Sequence, residues 1–305
     1  ATDLAELYTL QNKYAYYYNQ IQDGVTTDWI KKPLRNAVSS QHSLSIDGGD
    51  EHARYNLGVR YGDEEGVMKG SSRERLSTNF KLSYNLSGKF FISNTATISS
   101  VKSNQSPYGD FSDWVKQNPY EYPYDEYGAL KPKLNYDLSN PLYEASLGSF
   151  NKGNTLDVLN TTTLQVWLGE KFRIDGDFSI QKTKYEGRNF VSPFSADQIK
   201  NVADVSRRGR LTETFTSTTT YQGKSYNNYI FSKLFLTAMA GTSIESNSVD
   251  GSMYGSVGYY SDNVAHPLLA GNYPTGKPGG VDNKYNGAGF FVNLNSIWDN
   301  RYFLD

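Results

Sequence analysis

Ala53-Arg54-Tyr55-Asn56-Leu57-Gly58-Val59-Arg60-Tyr61 decides how the rest of the chain reads. Ala53, Tyr55, Leu57, Val59 and Tyr61 alternate without exception with Arg54, Asn56, Gly58 and Arg60. Period two marks an extended segment whose two faces meet different surroundings. Upstream, over about 38–47, His42, Leu44 and Ile46 oppose Gln41, Ser43 and Ser45. Downstream, Leu76, Phe80, Leu82 and Tyr84 oppose Ser77, Asn79, Lys81 and Ser83, and Phe90, Ile92, Ala96 and Ile98 oppose Ser93, Thr95, Thr97 and Ser99. A fifth strand is predicted over about 155–168 on Leu156, Val158, Leu164, Val166 and Leu168. A sixth sets Phe172, Ile174, Phe178 and Ile180 against Arg173, Asp175, Asp177 and Gln181. Further strands follow over about 209–224, over about 228–245, on Phe290, Val292 and Leu294, and from Arg301 onward.

The links between these strands alternate in length. Short polar links are expected at Asp47-Gly48-Gly49-Asp50, Asn85-Leu86-Ser87-Gly88, Gly169-Glu170-Lys171, Tyr226-Asn227-Asn228 and Trp298-Asp299-Asn300. The other links are longer: Asp63–Ser72, then 102–152, 186–208 and 246–286. A transmembrane β-barrel is built this way, with brief turns on one side of the membrane and long excursions on the other. Predicted strands of about 10–15 residues suit a tilted span of the hydrocarbon core, which needs about 9–11. A two-layer soluble β-protein with one solvated face is the competing reading. Loops beyond about 12–15 residues are uncommon in compact soluble domains, which weighs against it.

Residues 1–23 carry Leu4, Leu7, Leu10 or Gln11, Tyr14, Tyr18 and Ile21 at spacings of three and four, the signature of a helix. Asp23-Gly24 closes it, and Lys31-Lys32-Pro33 marks a loop.

Hydrophobic residues are 37% of the 305-residue chain, and no run approaches the ~20 apolar residues of a membrane helix. A barrel hides its apolar surface on alternate residues, so low mean hydropathy does not oppose that reading. The 25 tyrosines and 15 phenylalanines fit the aromatic girdles of a barrel. With no cysteine there is neither disulfide nor thiolate metal site, and a net charge of −2 gives no basis for nucleic-acid binding. The opening Ala1-Thr2-Asp3-Leu4 is not a signal peptide, so a leader is expected to have been removed or the chain to be an internal piece.

Catalytic signals are sparse. The three histidines, His42, His52 and His266, form no His-x-x-x-His pair, so no metal site is expected. Asp63-Glu64-Glu65-Gly66 lacks the spacing of a calcium loop and reads as a solvated hairpin tip. Asp175 and Asp177 share one strand face and fit a polar wall better than a glycosidase pair. Gly251, Gly255 and Gly258 read as loop punctuation. The strongest binding candidate is an aromatic stretch, Tyr108, Phe111, Trp114, Tyr120, Tyr122, Tyr124 and Tyr127, interleaved with Asp110, Asp113, Glu121, Asp125 and Glu126. Flat rings beside carboxylates suit sugar rings, but packing of the loop onto its neighbours or onto a partner lid is the favoured reading.

Several stretches together resemble the SusC/RagA family of TonB-dependent outer-membrane transporters. They are Gln41-His42-Ser43-Leu44-Ser45-Ile46-Asp47-Gly48-Gly49, Tyr55-Asn56-Leu57-Gly58-Val59-Arg60-Tyr61, Glu65-Gly66-Val67-Met68-Lys69-Gly70, Ser106-Pro107-Tyr108-Gly109, Asn140-Pro141-Leu142-Tyr143-Glu144-Ala145 and Trp298-Asp299-Asn300-Arg301-Tyr302-Phe303-Leu304-Asp305. The resemblance implies an all-β antiparallel transmembrane β-barrel of the TonB-dependent receptor type, present as a partial barrel of about ten meandering strands. Residues 1–36 would be a helical outer-loop segment and 37–305 the partial barrel, with the plug domain absent. It further implies a Gram-negative, Bacteroidota-like cell outer membrane as the location and outer-membrane lipid as surroundings. A SusD-like surface lipoprotein would dock on the loops, and TonB would act through the missing plug. The ligand would be an oligosaccharide or peptide, imported without chemistry, cofactor or metal. Arg54, Arg60, Lys81, Arg173 and Asp175 would face the lumen. An isolated arc would leave strand edges unpaired and is not expected to function alone. A soluble carbohydrate-binding or adhesin module is the alternative.

Overall fold

Alternating β-branched or aromatic residues with small polar ones make long strands, because each face then packs or solvates uniformly. The structure, a computed structural model, describes residues 4–231, 236–274, 276–298 and 302–304 of the chain. Ten strands are described: β1 (Ser39–Gly49), β2 (Ala53–Glu65), β3 (Ser72–Leu86), β4 (Phe90–Asn104), β5 (Phe150–Leu168), β6 (Phe172–Val191), β7 (Arg210–Phe231), β8 (Leu236–Val257), β9 (Gly279–Trp298) and β10 (Tyr302–Leu304). They form one sheet in sequence order, each strand antiparallel to the next. This is a partial antiparallel barrel wall, with β7 and β8 reaching 22 residues each.

Register keeps the two faces apart. Ile46 lies opposite Leu57, Leu57 opposite Phe80 and Phe80 opposite Ala96. Further along, Ile92 faces Leu164, Val166 faces Ile174 and Leu168 faces Phe172. Tyr84, Phe172 and Tyr229 sit on this apolar face near the short-turn end, as a girdle would. The band is interrupted at Asn94 and Asn160, whose amides bond each other at 3.0 Å while Asn94 also donates to Thr162 at 2.8 Å. Among the described residues no second layer covers the apolar face: Leu44, Ile244 and Phe290 are 62–73% exposed. Nor is any described helix long and apolar enough to cross a membrane.

Short turns at 50–52, 87–89 and 169–171 lie at one end of the sheet, and the links 66–71, 105–149, 192–209 and 258–278 at the other. The first turn is closed by Asp50, whose Oδ1 accepts from His52 N at 2.8 Å and Ala53 N at 2.7 Å. Those backbone bonds hold the Asp50 carboxyl below the usual carboxylate range.

Two sequence expectations fail. Tyr226-Asn227-Asn228 is not a turn but lies inside β7, opposite Gly241, Ala240 and Met239. Asn228 is polar because it binds Asp175 across the sheet, not because it turns the chain. The link that follows, 232–235, and part of the last one, 299–301, lie outside the described residues, as do Leu234 and Arg301. Secondly, the strands run farther into the long loops than alternation predicts, so that Gly251 and Gly255 belong to β8 and residues 279–286 to β9. Beyond the apolar band both faces are wet. Ser246, Ser248 and Asp250 stay paired with Asn286, Lys284 and Asp282 without any apolar period to reveal them.

Candidate functional site

At the long-loop end the chain makes its own core. Trp29, Trp114 and Leu134 are buried together, with Met68, Tyr108 and Leu142 against them. Trp114 lies on a short helix, Phe111–Val115, and its Nε1 donates to the Tyr108 carbonyl at 2.7 Å. Its ring centroid is 5.7 Å from that of Tyr108 and 6.2 Å from that of Trp29. Trp114 is fully enclosed, so it serves the loop's packing and presents no face to a ligand. Tyr108 is half-buried on the same cluster. Phe111, Tyr122 and Tyr127 are exposed, while Tyr120 and Tyr124 are half-buried, Tyr124 meeting Tyr122 edge-on at 5.6 Å.

Sequence reasoning placed Glu121 among the carboxylates interleaved with the candidate ligand-binding rings. It is wholly buried. Its side chain accepts from Tyr17 OH at 2.8 Å, Tyr16 OH at 3.4 Å and Asn135 Nδ2 at 3.0 Å, and its carbonyl accepts from Thr27 Oγ1 at 2.9 Å. Tyr16 and Tyr17 lie on the N-terminal helix α1 (Leu4–Gln22), so Glu121 fastens that helix to the 105–149 loop. Tyr136, at φ 60°, sets its ring 6.2 Å from both tyrosines. Burial first, then the Glu121 charge and hydrogen bond, push Tyr16 up to about 12, and the same causes raise Tyr17. No hydropathy period could have located this tie, because its partners are 104 and 105 residues apart.

The loops lock to one another. Arg35 donates to the Gly66 and Ser71 carbonyls at 3.2 Å, and Ser106 Oγ to the Lys69 carbonyl at 2.7 Å. Glu144 accepts from Ala196 N at 2.7 Å, and Gly148 N donates to Asp262 Oδ2 at 3.0 Å. A second cluster, Phe190, Leu211 and Tyr259, joins the 258–278 loop to the strand ends. Gly258 is at φ 82°, and a Cβ there would stand 2.2 Å from the Ser206 carbonyl, so only glycine fits. A cleft of about 420 Å³ remains beside the aromatic stretch, lined among others by Tyr108, Asp113, Lys116, Gln117, Glu144 and Asp197.

Below the loops, register sets Arg54, Arg60, Lys81, Arg173 and Asp175 on the face opposite the apolar band. They are not one cluster. Arg54 and Arg60 lie on β2, Lys81 on β3 opposite Asn56, and Arg173 and Asp175 on β6 near the short-turn end. Asp175 is buried, and its Oδ2 accepts from Arg173 Nε at 2.7 Å and Asn228 Nδ2 at 2.6 Å. Oδ1 has no partner among the described residues. Arg173 also stacks its guanidinium 5.2 Å from the Trp167 ring. Asp177 accepts from Thr163 Oγ1 at 2.9 Å, so each of these carboxylates is engaged by the wall itself.

No described cluster of His, Asp or Glu could hold a metal ion. His42 is exposed on β1, His52 lies in the first turn 3.6 Å from Glu51, and His266 Nδ1 accepts from Leu268 N at 3.2 Å.

Comparison with known proteins adds to this geometry. No family model matches the chain. It is 38% identical over 65 residues to the TonB-dependent receptor SusC of Bacteroides thetaiotaomicron, covering 21% of this chain and 6% of that protein. Over 212 residues it is 24% identical to the TonB-dependent receptor P39 of Formosa agariphila, covering 68% of this chain and 20% of that protein. Among solved structures, the RagAB peptide importer in its closed-closed state superposes with a TM-score of 0.69 at 18% identity, over 90% of this chain and 32% of the importer chain. The RagAB peptide transporter gives 0.70 over the same share. The chain therefore spans a fifth or less of the curated receptors and about a third of the solved ones. Motifs, meander and loop placement agree with these likenesses: the chain has the barrel fold of the RagAB importer chain and is similar in sequence to TonB-dependent receptors such as SusC.

Proposed function

We propose that this chain is wall and outer-loop layer of an importer in the outer membrane of a Gram-negative, Bacteroidota-like cell. One observation carries the reading: a single sheet of long strands, apolar on one face and polar on the other, with its long links gathered and interlocked at one end. Lipid satisfies the apolar face, since no protein layer does among the described residues. The polar face, with Arg54, Arg60, Lys81, Arg173 and Asp175, lines the lumen and contacts a plug through which TonB acts. Asp175 Oδ1, buried and without a partner among the described residues, suits a donor from such a plug.

The loop layer meets ligand and partner. Phe111, Tyr122 and Tyr127, with the half-buried Tyr120 and Tyr124, offer ring faces for an oligosaccharide or peptide. A SusD-like lipoprotein caps the same end. The polypeptide binds and passes cargo and makes or breaks no bond. Uptake by the intact receptor tests this. Deleting the receptor should abolish growth on one class of oligosaccharide or peptide, and restoring it with Tyr122→Ala and Tyr127→Ala should raise the concentration needed for uptake. Unchanged uptake in the deletion strain on every such substrate would contradict the reading.

A further inference from the structure

Going outward along β6, the apolar face reads Phe172, Ile174, Gly176, Phe178, Ile180 and then abruptly Lys182 and Lys184. Nine residues from Phe172 to Ile180 are about one tilted crossing of the hydrocarbon core. Lys182 and Lys184 thus begin where the core ends, on the side of the long loops. Their cross-strand neighbours are not carboxylates. Lys182 lies between Val158 and Thr219, and Lys184 between Leu156 and Ser217. Ile98 and Ser100 continue those rows on β4. Both lysines are exposed and neither forms an ion pair among the described residues. The nearest carboxylates on this face are Glu186, two residues along β6, and Asp250, which lies opposite Ser217. Arg188, the next cation outward beyond Glu186, is taken by Glu213 at 2.9 Å and the Ala265 carbonyl at 2.8 Å, so the two lysines stand apart from that network.

We infer that Lys182 and Lys184 form a docking site on the barrel's outer surface for the phosphorylated headgroup of an outer-leaflet lipid. Their ammonium groups meet the phosphates, and the acyl chains lie on Val158, Leu156 and Ile98, which are 38–51% exposed. Two strongly hydrated point charges on long stems suit a phosphate at the membrane boundary. Each cation so placed contributes enough that losing both weakens binding by about tenfold to thirtyfold. The site rests on the membrane reading above.

The test uses the full-length receptor containing this segment, purified in neutral detergent, with bound lipid counted by native mass spectrometry. Diphosphoryl lipid A should be retained, and the same lipid with its phosphates removed should be retained about tenfold less. The K182S/K184S receptor should lose retention to a similar degree, and K182R/K184R should keep it. Equal retention by the wild-type and K182S/K184S receptors would overturn the proposal, as would displacement of the lipid by an equal concentration of inorganic phosphate, which would mark a free-anion site. Failure to retain lipid in a folded barrel sinks this proposal alone, whereas failure of the receptor to behave as a membrane barrel sinks both.

Discussion

The wall and the loop layer use large side chains in opposite ways. In the loop layer and where it meets the strand ends, Trp114 and Phe190 are at most 1% exposed, and the buried Glu121 is bonded from several sides. In the wall, Phe178 and Ile98 stand 45–51% open on a face that no other part of the described chain touches. A water-soluble domain hides such residues, and a contiguous exposed apolar face marks contact with another phase or molecule. The loop layer is therefore an ordinary aqueous core in miniature, and the wall carries a contiguous open apolar face, which the proposed function assigns to lipid. One sequence carries both because its period is two below the loops and absent within them.

The largest expected effect breaks the loop layer alone. Trp114→Ala should cost that layer about 3–5 kcal/mol through the cavity it leaves. Hydrogen exchange in the intact receptor should then rise across 105–149, with the strands below unchanged. If exchange rises equally in β5 and β6, the two regions are not independent. The next effect sits in the wall. Phe178→Arg puts a charge in the apolar band and should cost about 2–4 kcal/mol in lipid, whereas Ser179→Arg, one residue on and facing the other way, should cost under about 1 kcal/mol. Urea unfolding in bilayers measures the pair, and equal losses would mean that the faces are misassigned.

Glu121→Gln sharpens the comparison at the seam between α1 and the loop. Losing the charge of a buried, three-fold bonded acceptor should cost about 1–3 kcal/mol, seen as faster proteolysis of residues 4–22. The same tie has a pH dependence. The Tyr16 hydroxyl is raised to about 12 from an unfolded value of 10.0, so its contribution is complete below pH 10 and is lost as pH rises toward 12. Proteolysis of α1 should accelerate across that window and nowhere between pH 6 and 9. Smallest of all, Tyr127→Ala should leave stability within about 0.5 kcal/mol, since its ring is exposed, while weakening ligand binding by about 0.5–1.5 kcal/mol. Calorimetry on the receptor with its cargo separates the two.

Strand identity was legible wherever one face is apolar and the other polar, because there the alternation runs residue by residue, as from Ala53 to Tyr61. It faded where both faces are wet. The outer ends of β8 and β9, through Ser248 and Lys284, look like loop in sequence and are ladder in structure. Polar residues also misled at Tyr226-Asn227-Asn228, where an asparagine that binds Asp175 reads as a turn former. Within the loop layer composition marked the aromatic stretch but not its division of labour. Trp114 and Tyr127 look alike as letters, and only long-range packing on Trp29 and Leu134 decides that one is enclosed and the other free.

Site-directed spin labelling along β6 addresses the two faces most directly, and the chain has no cysteine of its own to interfere. Labels at 172, 174, 178 and 180 in the bilayer-inserted receptor should be relaxed by molecular oxygen and shielded from a water-soluble nickel chelate. Labels at 173, 175, 177 and 179 should show the lower oxygen response of a polar interior. A profile without that two-residue period, or with its phase reversed, would contradict the assignment of the apolar face to lipid.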